Sequence, residues 1–435
     1  MPAGLVAALC GGSPSPPWSL AETGSRVRLP SRWFTHSDMP GCSGYLGRSP
    51  YGLAACLALG LAAWLASWSG ASAELSVLRA EKLRATDSAI GQAIREKNLP
   101  GGVLWLESRG ATYHRAYGRR AVVPEVEAMT EDTIFDVASL TKVLATAPAV
   151  MMLVERGQLD LESPVRRYLP EFGVLGKETV TLHHLLTHTS GLPAGLSRDV
   201  PWSGSAKAIE LACAEPLLTS PGALFRYSDI NFIVLAELVR RVSGMPFEEF
   251  VHRELFVPLR MPDTEFLPPA SKLGRIAPTE VVNGVVLRGK VHDPTARMMG
   301  GVAGHAGLFS TASDMARFAR MVLNQGELDG FRVLSAKTVR QMTTVQTPLS
   351  VKAQRGLGWD IDSPYAGPRG EWFLIGSFGH TGWTGGSIWI DPASRTFVIF
   401  LSNRNHPTGG NVVPLRKRLG TLAAEAVGLG GTTPP

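Results

Sequence analysis

Cysteine is nearly missing from this chain of 435 residues: four occur, at positions 10, 42, 56 and 213, and only Cys213 lies beyond residue 73. A lone cysteine closes no internal bridge, and without a Cys-x-x-Cys pair or a His/Cys cluster nothing signals structural zinc. His184 and His188 have the i, i+4 spacing of a zinc helix, yet Leu185 stands where that motif needs glutamate, and no metal is expected there. Charge is also thin, at 18% Asp, Glu, Lys and Arg, with a formal net charge of +6. Of 43 basic and 37 acidic side chains, four Arg and two acids fall in residues 1–73, so 39 face 35 over the remainder. That excess is too dilute to argue for a nucleic-acid partner. Gly-x-Ser-x-Gly is absent as well, so the nucleophile elbow of the α/β-hydrolases has no support.

What is present is an ordinary globular composition, 44% hydrophobic, in a chain long enough for two packed lobes. Residues 49–73 carry no charge, follow Arg48 and end in Ala71-Ser72-Ala73. A basic flank, an apolar core and an A-x-A end describe a secretory signal, so export is expected, to the periplasm or to a membrane-anchored state. An uncleaved anchor is the alternative, because the stretch approaches spanning length. Leu53-Ala54-Ala55-Cys56 looks like a lipoprotein box, but its apolar run follows the cysteine instead of preceding it. Residues 1–47, rich in Gly, Pro and Ser, read as neither fold nor signal.

Beyond the extension, residues 76–97 have helical periodicity through Leu83, Ile90 and Ile94, and stop at Asn98-Leu99-Pro100-Gly101-Gly102. Strand patterns at 103–106 and 112–117 flank Ser108-Arg109-Gly110, which predicts a hairpin. After Ser139 helical patterns dominate at 144–155, 182–186, 206–212, 231–243 and 247–255. Helix returns at 313–324, strands at 385–390 and 396–401, and a last helix at 415–427. Beta segments near both ends with a helical middle imply one sheet built from the two termini and an inserted helical lobe.

Three segments carry candidate chemistry. Ser139-Leu140-Thr141-Lys142 sets a hydroxyl and an amine one helical turn apart on one face. Phe225-Arg226-Tyr227-Ser228-Asp229-Ile230-Asn231 is a polar turn before a helix, and Gly379-His380-Thr381-Gly382-Trp383-Thr384-Gly385-Gly386 leads into a strand. Each has a plainer reading: a solvated helix start, a capping loop with Ser228 or Asp229 as N-cap, and a glycine bulge. His188 and His305 read as histidines hydrogen-bonded within turns, and His292-Asp293 as shaping a channel or holding a loop.

In their order, Ser139/Lys142, Tyr227-Ser228-Asp229 and His380-Thr381-Gly382, these segments resemble the serine beta-lactamase and penicillin-binding-protein superfamily. The branch is that of class C beta-lactamases, D-alanyl-D-alanine carboxypeptidases and family VIII esterases, and the likeness runs over roughly residues 76–427. His184-Leu185-Leu186-Thr187-His188-Thr189-Ser190-Gly191-Leu192, His292-Asp293 and the Gly-rich run 300–310 look like the same family. The resemblance implies an α/β (α+β), beta-lactamase/transpeptidase-like fold over residues 74–430. In it a sheet lobe of about 76–138 and 296–427 packs on a helical lobe of about 139–295, with the site in the cleft.

It further implies that Ser139 attacks a carbonyl, that Lys142 and Tyr227 share the base and acid work, and that an acyl-enzyme forms and is hydrolysed without metal or cofactor. Lysine and tyrosine, with ordinary pKa values of about 10.4 and 10, do this near neutrality only where the site favours their deprotonated forms. The Ser139 N–H, at a helix N-terminus, lies beside the developing oxyanion, and the second donor comes from the strand residue Trp383. His380, Thr381 and Gly382 line the substrate channel, and His380 is mostly neutral where the K-T-G form of the motif has a cation. Asp229 departs from Tyr-x-Asn, which leaves Asn231 as the candidate for that substrate-binding role. The substrate classes implied are an ester, a D-Ala-D-Ala peptide or a beta-lactam; the alternative is a penicillin-sensing or structural relative that acylates without turnover.

Overall fold

A computed structural model describes residues 78–430. The signal or anchor expected at 49–73, residues 1–47, Cys10, Cys42 and Cys56, and the first positions of the helix expected from 76 lie outside the described residues. Helix α1 spans Ala80–Arg95. Strands β1 (Gly101–Ser108) and β2 (Ala111–Ala121) form the expected hairpin, and its turn residues Arg109 and Gly110 both have positive φ, 50° and 90°. That primed geometry matches the right-handed twist of the paired strands.

The chain then runs through β3 (Glu127–Ala128) and β4 (Phe135–Asp136) into a 3₁₀ turn, Ala138–Leu140, and a wide helical turn, Lys142–Thr146. In the wide turn the Ala147 N–H bonds the Lys142 carbonyl, an i→i+5 pattern. Pro148, in the first turn of helix α2 (Ala147–Glu155), has no N–H to offer the Leu144 carbonyl, which accounts for the irregular ladder. Ala138–Glu155 is long and apolar enough to cross a membrane by composition, but it is mostly buried here, as a core helix apolar on all sides must be.

Helix α5 (Asp229–Ser243) packs on α2, and α3 (Leu182–Leu186), α4 (Ser205–Ala214) and α6 (Phe247–Val251) pack on α5. Strand β5 (Glu265–Phe266) follows, and after helix α7 (Pro294–Met298) strand β6 (Leu308–Ser310) pairs with both β4 and β5. Helices α8 (Ala312–Leu323) and α9 (Ala336–Thr343) precede β7 (Gln354–Arg355), β8 (Asp360–Asp362), β9 (Phe378–Thr381), β10 (Ser387–Asp391) and β11 (Thr396–Ser402). Helix α10, Val413–Ala426, ends the described fold.

The main sheet has the order β7-β8-β9-β10-β11-β1-β2-β3, antiparallel throughout, so strands from the two ends of the domain meet at β1 and β11. Alternation along the strands divides the core. Leu104, Leu106, Trp389, Val398 and Phe400 face α1 and α10 through Ile90, Leu415 and Leu419. Val103, Ile388, Ile390, Phe397, Ile399 and Leu401 join Phe318 of α8 and the buried faces of α2 and α5 in one continuous cluster. The expected sheet with flanking helices is present; β10 begins two residues later than the pattern suggested, because Gly385 and Gly386 belong to the preceding turn.

Packing around Leu144, fully buried in this cluster, makes Leu144→Ala costly, by about 2–5 kcal/mol. The exposed Val413→Ala changes stability by about 0.5 kcal/mol or less. Urea unfolding of the two variants checks the contrast, and equal midpoints would show that the wide turn before α2 is not a core element.

Candidate active site

The site begins at a buried carboxylate. Asp136, at the end of β4, accepts the Ala138 N–H (2.8 Å) on one oxygen and the His292 N–H (2.6 Å) on the other. Burial raises its pKa, while these two N–H bonds work the other way. They hold Ala138 at φ +46°, a left-handed conformation costly for a residue with a Cβ. Ser139 follows on this strained turn and remains half-buried.

Lys142, one turn on, is fully buried, and its ammonium group points three ways. It donates to Ser139 Oγ at 3.2 Å, to Asp229 Oδ1 at 2.7 Å and to the His305 carbonyl at 2.9 Å. An ammonium has three N–H bonds, so this set satisfies the charged form completely. Burial by itself lowers the pKa of Lys142, but Asp229 and then Tyr227 outweigh it and hold the pKa above the ordinary lysine value. Tyr227 is also raised, by burial first, with Lys142 and Ser139 within interaction reach of its hydroxyl pulling it down. Base work near neutrality needs deprotonated forms that this resting arrangement does not favour: Asp229, which spacing did not connect to Lys142, helps keep the proton on the amine.

Tyr227 is placed by aromatic packing. Its ring lies 5.0 Å from Lys142 Nζ and stacks on His188 at 4.4 Å between centroids. His188, at φ +58°, accepts the Ser228 N–H on Nδ1 (3.1 Å), and burial drives its pKa well down, so it is a neutral packing platform. It is more than a turn histidine, since it backs the Tyr227 ring. Ser228 occupies the N-cap position of α5, but its hydroxyl donates to the Pro193 carbonyl at 2.5 Å and does not cap the helix.

Asn231 does not take the expected substrate-binding place. It is fully buried, and its amide is engaged by Ser190 Oγ (2.6 Å) and His188 Nδ1 (3.3 Å). On a helix starting at Asp229, position 231 faces inward, while the partly exposed Asp229 reaches Lys142.

Strand β9 forms the opposite wall. His380 is buried, its Nδ1–H donates to the Thr381 carbonyl (2.8 Å), and burial followed by the charges of Arg355 and Lys142 lowers its pKa well below the ordinary value. The neutral imidazole expected at this position is thus what the fold enforces. Gly382 packs so closely on the turn before Ser139 that a Cβ there would meet the Val137 carbonyl at 2.4 Å. Trp383 sits in the turn beyond β9 and not on the strand, and its side chain is 66% exposed. Among the described residues, no acceptor takes the N–H of Ser139 or of Trp383. Both amides are thus free on segments that meet at the Gly382 contact, and free backbone N–H groups are what an oxyanion needs.

Asp293 and His305 complete the floor, with His305 Nε2 and Asp293 Oδ1 3.0 Å apart. Although burial opposes it, this contact with His305 holds Asp293 well below the ordinary carboxylate range. Asp293 also caps α7 through the Ala296 N–H, so it holds a loop and borders the site at once. Asp229, Asp293 and His305 bring one ligand atom each within 4.8 Å of one another, but the Lys142 ammonium already takes the Asp229 carboxylate. His184 is used in the capping box of α3 with Thr181, apart from the role of His188. Asp136 and Asp229 as site carboxylates escaped the sequence reading; a Tyr-x-Asp triplet at the start of a helix was the one signal available for the second.

The Beta-lactamase family model matches residues 86–422. An N-acetylmuramyl-L-alanine amidase of Bacillus subtilis (strain 168) is 31% identical over 377 residues, covering 77% of this chain and 84% of its own length. A protein of Escherichia coli (strain K12) provisionally named a D-alanyl-D-alanine carboxypeptidase is 29% identical over 373 residues, covering 77% and 85%. A solved class C beta-lactamase superposes with a TM-score of 0.67 at 20% identity over 81% of this chain and 98% of its own. That last likeness is one of fold.

Asp229 sets the sign of the Lys142 contribution to stability. In the parent the folded pKa lies above the unfolded value of about 10.4, so the contribution is full below that pH and is lost as pH rises through the folded value. In Asp229→Asn burial prevails, the folded pKa drops below the unfolded one, and stability climbs with pH up to about 10.4. Urea midpoints taken between about pH 7 and 10 rise for the variant relative to the parent; parallel curves would show that Asp229 does not hold the ammonium.

Proposed function

This chain belongs to the beta-lactamase family, and from that premise we propose that it is a hydrolase that cleaves an ester or amide bond, D-amino-acid peptides included, through an acyl-enzyme on Ser139. The observation that carries this reading is the placement of Ser139 Oγ 3.2 Å from a buried ammonium, with the Tyr227 hydroxyl in interaction reach. Lys142 donates to Ser139, so the hydroxyl proton of Ser139 is directed elsewhere, and Tyr227 is the group positioned to take it.

Activation requires that the Lys142/Tyr227 pair first lose one proton. The form with Lys142 charged and Tyr227 ionised is favoured by geometry, because the ammonium N–H bonds are already placed and the charge lies 5.0 Å from the phenol ring. Tyr227 then accepts the Ser139 proton as Oγ bonds the carbonyl carbon. The oxyanion rests on the Ser139 and Trp383 amides, and Tyr227 returns the proton to the departing alcohol or amine. Water repeats the sequence on the ester, releasing the acid and restoring Ser139.

The neutral His380 supplies no fixed cation for a carboxylate, which argues against an efficient beta-lactam hydrolase and supports the ester reading; the peptide reading rests on the relatives instead. The amidase and carboxypeptidase names borne by relatives near 30% identity support the amide side of the proposal. Residues 49–73, with their signal-like pattern, lead us to place the protein outside the cytoplasm.

Purified residues 74–435 are expected to hydrolyse short-chain p-nitrophenyl esters or a D-Ala-D-Ala peptide faster than a chromogenic cephalosporin. Ser139→Ala abolishes turnover, and equal activity of that variant would end the mechanism. For the parent, kcat/KM climbs with pH on the alkaline side of neutral as the pair ionises. Tyr227→Phe loses that limb together with about 10²-fold or more of the rate; a Tyr227→Phe profile that keeps both would exclude tyrosine as the base.

A further inference from the structure

Helix α10 delivers an arginine to the back of the turn that carries Trp383. Arg416 is buried, and its guanidinium donates to the carbonyls of Gly382 (2.5 Å), Gly385 (3.2 Å) and Gly386 (2.7 Å). Arg404 holds the rest of the same turn: its Nε donates to the Trp383 carbonyl (2.5 Å), and its backbone N–H donates to the Thr384 carbonyl (2.9 Å). All five carbonyls of residues 382–386 are therefore held by two arginines. From the other side, the Thr384 hydroxyl donates to the Asp136 carbonyl (2.6 Å), which ties the turn to the strand leading into Ser139.

We infer that Arg416, seconded by Arg404, is a positioning residue for acyl transfer, which sets the direction of the Trp383 N–H. The argument is one of peptide geometry. In a planar trans peptide the C=O and the following N–H point in opposite directions. The Gly382 carbonyl is drawn to Arg416, so the Trp383 N–H points away from Arg416, toward the face on which Gly382 meets Val137 and Ala138. A cation on the carbonyl also polarises the peptide and strengthens its N–H as a donor, since chained hydrogen bonds reinforce one another. No carboxylate pairs with Arg416 among the described residues, and burial, with Arg404 adding to it, pushes its pKa down to about 9. A buried cation satisfied only by carbonyls is an expensive way to close a turn, and its three acceptors all belong to residues flanking the oxyanion donor. The indole of Trp383 lies 4.7 Å from the Arg404 guanidinium, which keeps the exposed side chain from dragging the turn out of register.

This inference rests on the reading of Ser139 as nucleophile and Trp383 N–H as oxyanion donor, and the test separates the two. The rate at which an alkyl fluorophosphonate labels Ser139 is measured for the parent, Ser139→Ala, Arg416→Met and Arg416→Lys. Ester hydrolysis and urea midpoints are followed in parallel. The phosphonyl oxygen occupies the oxyanion position, so labelling reports on that site directly. Arg416→Met is expected to label about 10²-fold slower, with kcat reduced alike and KM within about threefold, as for loss of one oxyanion donor. Arg416→Lys, which keeps the charge but not the fork, falls between Met and parent. Folded Arg416 variants that label at the parent rate overturn the positioning role and leave the Ser139 reading standing. A parent that labels no better than Ser139→Ala overturns both. If Arg416→Met does not fold, Arg416→Lys decides: slower labelling at unchanged KM supports the role, and a parent-like rate refutes it.

Discussion

The ammonium of Lys142 is the constraint that the rest of the site obeys. A fully buried charge is tolerated only where every N–H finds an acceptor and an opposite charge stands close by. Meeting that demand draws together three parts of the chain: the wide turn before α2, the start of α5 through Asp229, and the loop after α7 through the His305 carbonyl. Once these are in place, Ser139 and Tyr227 have little freedom, because each touches the same cation. The left-handed Ala138, held by Asp136, and the i→i+5 turn at Ala147, opened by Pro148, are local departures from regular backbone on either side of the residues that this ammonium gathers.

The opposite wall depends on arginine. Arg404 and Arg416 hold the carbonyls of the turn after β9, and Arg355, buried beside Asp360, contributes the charge that helps keep His188 and His380 neutral. The centre is thus charged on the Lys142/Asp229 side and neutral on the histidine side. Aromatic rings border this wall as well: Tyr365 packs 5.3 Å from Tyr227, and Trp383 is exposed beside the turn.

Much of this was legible in the sequence. The hairpin at Arg109-Gly110, the helix after Ser139, the terminal strands and the helical middle follow from periodicity and turn chemistry, which act over a few residues and leave their mark within a short window. The Ser139/Lys142 pair follows from helical spacing, and its grouping with Tyr227 and the His380 segment from the order of motifs along the chain.

Other features depended on distances that no window contains. Asp229 lies 87 positions from Lys142, and their contact, with Tyr227 adding to it, holds the amine's pKa above the ordinary value despite burial. Asn231 and Asp229 are two residues apart, yet the facing of α5 turns one into the core and the other to the site. Asp136 became a site carboxylate through a backbone N–H 156 positions away, and Arg416 reached Gly382 across 34. The sequence by itself determined which elements form and which residue types carry the chemistry, because backbone periodicity and side-chain identity are local properties. Protonation states, the direction of the Trp383 N–H and the exclusion of Asn231 were decided only by tertiary structure, because each is a sum of burial and charge over partners that folding alone brings within a few ångströms.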